Sequence, residues 1–141
     1  MGQQQQILLV LGLLIVGVAV ATGLRIYQEN MDSLYLMQIE QDMIYFATKA
    51  QEFYHKPAHL GGGEGSFSDV KGSKALEKYL DVSGIYTNKK KAYTATFKIN
   101  KAGRDQILEL QADGIVQLRN KKYPRYTVTV TGKDYKLKRI Q

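Results

Sequence analysis

The sequence predicts an α+β fold, in which a long N-terminal helix packs on a small antiparallel β-sheet domain. An uncharged apolar run occupies residues 7–24, ILLVLGLLIVGVAVATGL. Apolar residues then recur every three or four positions as far as Phe53, which is the period of one helix face. Beyond Gly84, apolar and polar residues alternate, which is the period of a strand. The 141 residues leave room for this helix and one domain of about 80–110 residues.

The apolar run follows residues 1–6, MGQQQQ, which are a polar N-terminus or a very short leader. As a helix rising about 1.5 Å per residue, residues 7–24 are long enough to cross most of the hydrocarbon core of a bilayer. Each of the twelve large aliphatic side chains in the run is worth roughly 1.5–3 kcal/mol when fully buried. We therefore expect this segment to lie in lipid or against copies of itself.

Several residues of the run are candidates for contacts between such copies. Ala19 and Gly23 form a small-xxx-small pair, which lets two helix backbones approach closely. The residues that we expect to pack in a filament core are Ile7, Leu8, Leu11, Gly12, Leu14, Ile15, Gly17, Val18 and Gly23. Ala19-Val20-Ala21 also matches a signal-peptide cleavage site, so a secreted soluble domain released after Ala21 is an alternative.

Residues 25–56 extend the helix as an amphipathic segment. No proline lies between Gln3 and His55, so one helix of about 50 residues is expected, ending before Pro57. Residues 57–71 contain a glycine-rich stretch that predicts a flexible linker. His55 and His59 have the spacing of two metal ligands on a helix, but Pro57 lies between them, and we predict no metal site.

Residues 72–141 are expected to form the sheet domain. Ser73 is a candidate N-cap for a short helix over residues 74–80. Asp113-Gly114 is a strong hairpin signal between two apolar stretches, residues 106–112 and 115–118. With further alternating stretches over residues 93–99, 126–131 and 135–140, the pattern predicts four or five antiparallel strands. One apolar face of this sheet would cover the helix between Met43 and Phe53.

The net charge of +7 is unevenly distributed. Residues 25–56 carry three basic and five acidic side chains, whereas the chain from Pro57 onward carries 17 basic and 8 acidic ones. Basic clusters interleaved with tyrosines could bind DNA or another anionic surface, or could be a solvated face. They could also meet acidic residues of neighbouring copies, in which case replacing Glu40 and Asp42 with lysine should reduce filament yield. The candidates for these contacts are Glu29, Asp32, Glu40, Asp42, Lys89, Lys90, Lys91, Lys121 and Lys122.

The sequence gives no indication of catalysis. It contains no cysteine, which excludes disulfides, thiolate zinc sites, iron–sulfur clusters and covalent c-type haem. No nucleophile, histidine and carboxylate have a recognisable spacing, so we expect neither an enzyme nor a bound cofactor.

The order of an apolar helix, an amphipathic helix and a small antiparallel sheet resembles type IV pilins and the related pseudopilins. Gly2 stands where prepilins carry the glycine before their cleavage site, which would make Gln3 the first mature residue. Gly17 and Gly23 fall close to the positions where pilin helices loosen in the filament. The chain departs from the family because Ile7 occupies the place of the usual glutamate, and because the basic leader and the C-terminal cysteine pair are missing.

The chain also resembles a group of small proteins that begin MGQQQ and carry a K-P…L-G-G-G…S-F segment. The pilin resemblance implies a structural subunit of an extracellular filament that waits in the inner membrane and polymerises through its apolar helix. Its expected partners are other copies of itself, the membrane before assembly and a pilus assembly machinery, and the basic sheet domain adds DNA or an anionic surface as a further candidate. A single-pass membrane protein with a basic extracytoplasmic binding domain is the alternative to polymerisation.

Overall fold

The computed structural model describes residues 2–67, 75–80, 95–102 and 106–140. Helix α1 spans Gly2–His55 and is followed by a 3-10 turn, Ala58–Leu60, and by a short helix α2, Ala75–Leu80. Four strands follow: β1, Ala95–Ala102; β2, Ile107–Gly114; β3, Arg125–Thr131; and β4, Tyr135–Arg139. The predicted helix cap at Ser73, the expected change of period at Gly84 and the cluster Lys89, Lys90 and Lys91 lie outside the described residues.

The chain divides into two compact units, Met1–Leu34 and Tyr35–Gln141. In the first unit the apolar residues 7–24 are helical, as the sequence predicts. The helix is long and apolar enough to cross a membrane by length and composition, and none of its most apolar window is buried within the chain. This unit therefore has no hydrophobic core of its own.

The second unit is built on an antiparallel meander with the strand order β1-β2-β3-β4. Its registers place Leu110 between Ile99 and Val128, and Val128 opposite Leu137. A register shift interrupts the pairing of β1 with β2 just after Ile99. Alternate residues of each strand consequently point to the same side of the sheet, and the apolar ones share one inner face.

This inner face packs on the second half of α1. Ile39, Met43, Phe46, Ala50 and Phe53 recur on one side of the helix and are buried, with at most 2% of each side chain exposed. The buried residues of the strands are Ala95, Phe97, Leu108, Leu110, Ala112, Tyr126, Val128 and Val130. A helix with one buried stripe on a one-sided antiparallel sheet is the α+β arrangement that the sequence predicts, and the prediction is confirmed.

The prediction of a hairpin turn at Asp113-Gly114 is wrong. Strand β2 runs through Gly114, and residues 115–118 do not form a strand. The N–H of Gly114 donates to the carbonyl of Pro124 (2.8 Å), and the N–H groups of Ile115 and Val116 donate to the Tyr35 hydroxyl (2.9 and 3.0 Å). Residues 115–124 therefore form a loop longer than a hairpin turn. The hydroxyl of Tyr35 on α1 accepts the hydrogen bonds that a partner strand would have accepted.

The glycine-rich stretch is also not the flexible linker that its composition predicts, over the part described. The N–H groups of Gly63, Glu64 and Gly65 donate to the carbonyls of Phe53, Lys56 and Tyr54, respectively, at 2.7–3.0 Å. The last carbonyls of a helix lack partners within the helix, and here the following loop satisfies them. Residues 57–67 therefore form a cap on the end of α1.

Candidate functional site

The apolar run in α1 is the first candidate surface. Its twelve large aliphatic side chains are 52–71% exposed, and the hydroxyl of Thr22, its most polar side chain, donates to the carbonyl of Val18 (2.8 Å). The first charged residues after the run pair with each other, with Arg25 Nε 3.4 Å from Glu29 Oε1. Residues 7–24 thus present apolar surface on every side of the helix and expose no unsatisfied side-chain polar group.

The glycines of the run have open space around them. A Cβ added at Gly12, Gly17 or Gly23 would meet nothing within 4 Å. Glycine costs about 1 kcal/mol relative to alanine inside a helix, and no contact with the described residues requires it at these positions. Ala19, Gly12 and Gly23 lie within about 40° of one another at 100° per residue, whereas Gly17 lies about 120–160° away from them. We name Gly12, Ala19 and Gly23 the small-residue seam.

The outer face of the sheet is the second candidate surface. The registers align Lys98, Gln111, Thr127 and Lys138 in one row across the four strands. In the neighbouring row Thr129 lies between Glu109 and Lys136. The first row therefore has a lysine at each edge and neutral hydrogen-bonding residues between them, and the second has a lysine on β4 and the acidic Glu109 on β2. We name Lys98, Lys121, Lys122, Arg125, Lys136 and Lys138 the basic platform.

Asp113 lies at one end of this face and is held by three side chains. Its Oδ1 accepts hydrogen bonds from Arg125 Nε and Gln111 Nε2, each at 2.7 Å, and its Oδ2 lies 3.4 Å from Lys98 Nζ. Partial burial acts to raise the pKa of Asp113, but the hydrogen bonds and the positive charges of Arg125 and Lys98 outweigh it and lower the pKa below its ordinary value. The carboxylate stays ionised and orients two cations of the platform.

The loop of residues 115–124 carries the remaining members of the platform. The N–H of Leu118 donates to the carbonyl of Lys122 (2.9 Å), and the N–H of Lys121 donates to the carbonyl of Leu118 (2.8 Å). Leu118 and Pro124 are buried, so the loop is anchored by side chains as well. Lys121 and Lys122 line a concavity of about 320 Å³ together with Asp113, Tyr123, Pro124 and Arg125. The loop lysines and the end of β3 thus form one surface.

The acidic candidates for contacts between subunits already have partners within their own chain. Asp32 and Asp42 each make an interaction with their own chain, and Glu29 pairs with Arg25. Glu40 lies near the buried hydroxyl of Tyr126, which makes no hydrogen bond of ordinary geometry with the residues that the structure describes. Burial first, and then the Glu40 carboxylate, raise the pKa of Tyr126 to about 12. The Glu40 carboxylate therefore already interacts with Tyr126, a core residue of its own chain.

The two histidines occupy different elements. His55 is the last residue of α1, and its Nε2–H donates to the carbonyl of Gly132 (2.7 Å) in the turn between β3 and β4. His59 lies in the 3-10 turn. No group of three or more histidine, cysteine and carboxylate side chains that could hold a metal ion occurs within the described ranges. His55 fixes the turn of a hairpin against the helix end, which is a structural role.

Sequence reasoning named Lys121 and Lys122 of the platform but missed Asp113 and Lys98 as members of one cluster. The missing information was the register of β1 against β2, which pairs Thr96 with Asp113 and Lys98 with Gln111. The alternation of residues 93–99 predicts that Lys98 lies on the polar face of its strand, but it does not predict which residues of β2 lie beside it. Gly2 and Gln3, the candidate processing residues, both lie in the first turn of α1.

Comparison of this chain with known protein families, with curated proteins and with solved structures finds no match.

Proposed function

We propose that this chain is the structural, non-enzymatic subunit of a helical filament of the type IV pilus kind. The observation that carries the proposal is the contrast between the two parts of α1. The helix between Ile39 and Phe53 is buried under its own sheet, whereas residues 7–24 expose 52–71% of each large aliphatic side chain. Surface of this kind needs lipid or another apolar partner.

The exposed run is suited to two successive environments. In the membrane, lipid covers it on all sides. In a filament, a bundle of the same segments from neighbouring copies covers it instead. Because lipid tails are as apolar as leucine, the exchange has little hydrophobic driving force, so close contact between helices and polar matching must favour the polymer.

The small-residue seam supports close contact between helices. Glycine at position 12 or at position 23 makes the helix about 1 kcal/mol less stable than alanine would. No atom of the described residues lies within 4 Å of a Cβ added at either position. Close approach of a neighbouring helix along Gly12, Ala19 and Gly23 would explain why small residues occupy these positions, since small side chains let two backbones come close.

Charge supplies the second type of contact. A helical filament needs interfaces between two different patches of the subunit, so that growth does not close on itself. Lys121 and Lys122 on one copy are complementary in charge to Glu29, Asp32 and Asp42 on the next. We propose an inner-membrane location before assembly and a cell-surface location afterwards, with assembly machinery as a further partner.

Electron microscopy of material sheared from the cell surface tests this proposal, with intact mass measured on the same sample. Fibres that contain this chain are the expected result. A mass beginning at Gln3 would indicate that Gly2 precedes a processed bond, and one beginning at Met1 would indicate that no leader is removed.

Two other results would contradict filament formation. A chain confined to membranes, monomeric after detergent extraction and without fibres, would indicate the single-pass anchored protein with a basic binding domain. A chain released into the medium without its first 21 residues would indicate the secreted soluble domain that cleavage after Ala21 predicts.

A further inference from the structure

The basic platform carries positive charge that the chain does not neutralise. Asp113 pairs with Lys98 and Arg125. The ammonium groups of Lys121, Lys122, Lys136 and Lys138, in contrast, form no ion pair with a carboxylate in the part of the chain that the structure describes. Lys121, Lys122, Lys136 and Lys138 are all exposed. Cations that are exposed and unpaired on one surface favour a polyanionic partner.

The spacing of the platform fits a partner with regularly repeated charges. Lys136 and Lys138 alternate along β4, which places them about 6.8 Å apart at about 3.4 Å per residue. Lys98 and Lys138 are separated by three strand spacings, or about 14 Å. Thr127 and Thr129 lie between the two edges and can donate hydroxyl hydrogen bonds. Lysine and threonine side chains are common ligands of phosphate in protein–DNA contacts.

We propose that the basic platform binds duplex DNA through its phosphates, without reading its sequence. Proteins that bind single strands stack successive bases on aromatic side chains. Among the described outward-facing residues of the strands there is no aromatic side chain, and Tyr123 is a single exposed ring beside the platform. The face therefore lacks the means to bind unpaired bases in series.

The same surface is poorly suited to a membrane. Segments that lie on a bilayer combine basic residues with several apolar side chains that enter the head-group region. On the described outer face of the strands, Ile107 is the exposed large aliphatic residue, and it is at the opposite end from Lys121 and Lys122. A polar face whose basic side chains outnumber its two carboxylates, Glu109 and Asp113, binds phosphates from outside, as duplex DNA requires.

The test uses the full chain held in nanodiscs of neutral lipid and a fluorescent 30-base-pair duplex of mixed sequence. The platform variant is Lys121→Gln/Lys136→Gln/Lys138→Gln. The matched control is Lys49→Gln/Lys56→Gln/Lys78→Gln, which removes a lysine from α1, the lysine directly after α1 and a lysine from α2, all away from the platform. Each variant lowers the net charge from +7 to +4, because each loses three positive charges. Circular dichroism checks that both variants keep their secondary structure.

We expect the platform variant to bind the duplex at least tenfold more weakly than the unsubstituted chain at about 0.1 M salt, and the control to bind within threefold of it. Each phosphate contact contributes about 0.9 to the slope of log K against log salt, so the variant should also have a slope shallower by about 2 to 3. Duplexes of different sequence should bind equally.

Four results would overturn the inference. These are the absence of duplex binding, an equal loss in the control variant, tighter binding of a 30-nucleotide single strand than of the duplex, and co-flotation with phosphatidylglycerol vesicles without duplex binding. The inference does not depend on filament formation, since the nanodisc keeps each chain apart from other copies.

Discussion

Two tyrosine hydroxyls of the second unit have opposite environments. The Tyr35 hydroxyl accepts hydrogen bonds from the N–H groups of Ile115 and Val116, and so fixes the start of the platform loop. The Tyr126 hydroxyl is buried and makes no hydrogen bond of ordinary geometry within the described part of the chain. A buried polar group costs free energy when its hydrogen bond is missing and contributes when the bond is made. Removing the hydroxyl oxygen should therefore lower the stability of the fold at Tyr35 and change it little at Tyr126.

We expect Tyr35→Phe to lower the free energy of unfolding by about 1–3 kcal/mol, because it leaves two backbone N–H groups without their acceptor. The chain contains ten tyrosines and no tryptophan, so near-ultraviolet circular dichroism during urea unfolding reports on the tyrosines of the fold. Tyr126→Phe is the control and should change stability by less than about 1 kcal/mol at neutral pH. Equal losses in the two variants would show that the Tyr126 hydroxyl also makes a stabilising bond.

Tyr126→Phe has a second expected effect at high pH. The pKa of Tyr126 is about 12 in the folded chain and close to 10 when the residue is solvated. The folded state keeps this proton between pH 10 and 12 while the unfolded state loses it, so the contribution of Tyr126 to stability falls across that window. Stability should decline less steeply there in the variant.

Asp113 predicts a pH dependence at the acid end. Its pKa is lowered in the folded chain, so its contribution to stability is complete above the ordinary value of about 3.8 and is lost as the pH falls through the folded value. Asp113→Asn should therefore be less stable at pH 7 by roughly 1 kcal/mol, and the difference in stability between the two chains should shrink as the pH falls below the ordinary pKa of the carboxyl. Urea unfolding at a series of pH values measures this.

A double-mutant cycle with Arg125→Gln separates the ion pair from other effects of the substitution. If the contact between Arg125 Nε and Asp113 Oδ1 at 2.7 Å stabilises the fold, the combined variant should lose less than the sum of the two single losses. Strict additivity would show that the pair makes no net contribution.

At the scale of elements, the sequence predicted the helices and strands well where a period was long. The three-to-four spacing continued to Phe53, and α1 ends at His55. The alternation over residues 126–131 matches β3 within one residue. Local signals failed where a distant residue supplied the hydrogen bonds. Asp113-Gly114 is a good turn dipeptide, but Tyr35, about 80 positions earlier in the chain, bonds the backbone that follows it.

The cap after α1 is a second case of this kind. Gly62 was predicted to give flexibility, but it allows close approach: a Cβ at this position would collide with the backbone carbonyl and the Cβ of Lys56. The composition of residues 61–66 is compatible with either role. The difference depends on carbonyls of the helix end, whose positions follow only from the folded loop.

Gly62→Ala should therefore destabilise the fold by about 1–3 kcal/mol, because the obstructing carbonyl belongs to the backbone and cannot rotate away. Gly17→Ala is the matched control, since a Cβ at Gly17 meets nothing within 4 Å. It should be neutral or stabilise the helix by up to about 1 kcal/mol. Thermal unfolding of the full chain in neutral micelles compares them, and a stable Gly62→Ala chain would contradict the cap.

At the scale of the whole molecule, the sequence separates two types of surface. Residues 7–24 carry no charge, whereas the net charge of the chain comes from the residues beyond Pro57. The apolar surface and its exposure could be predicted from composition, because no other segment of the chain is apolar enough to cover it. The outline of the basic platform could not be predicted from composition, because it depends on the strand registers that bring Lys98, Arg125 and Lys138 to one face.

The small-residue seam provides the sharpest test of assembly. In Gly12→Leu/Gly23→Leu, two large side chains would hold neighbouring helices apart, so we expect the yield of sheared fibres to fall at least tenfold. Leucine is a better helix former than glycine by about 0.8–1 kcal/mol, so a weaker helix cannot explain the loss. The amount of chain in the membrane, measured by immunoblotting, should stay the same, because the run becomes more apolar.

Gly17→Leu adds the same side chain on the other side of the helix, and because Gly17 is a candidate for filament-core contacts that lies off the seam, it should lower the fibre yield less than Gly12→Leu/Gly23→Leu does. If this variant also abolishes fibres, close contact is not confined to the seam. Loss of fibres with Gly17→Leu alone would instead agree with the pilin resemblance, in which the helix loosens near Gly17. Undiminished fibres in Gly12→Leu/Gly23→Leu would mean that neighbouring copies do not approach along Gly12, Ala19 and Gly23, and that contacts in the second unit hold the filament together.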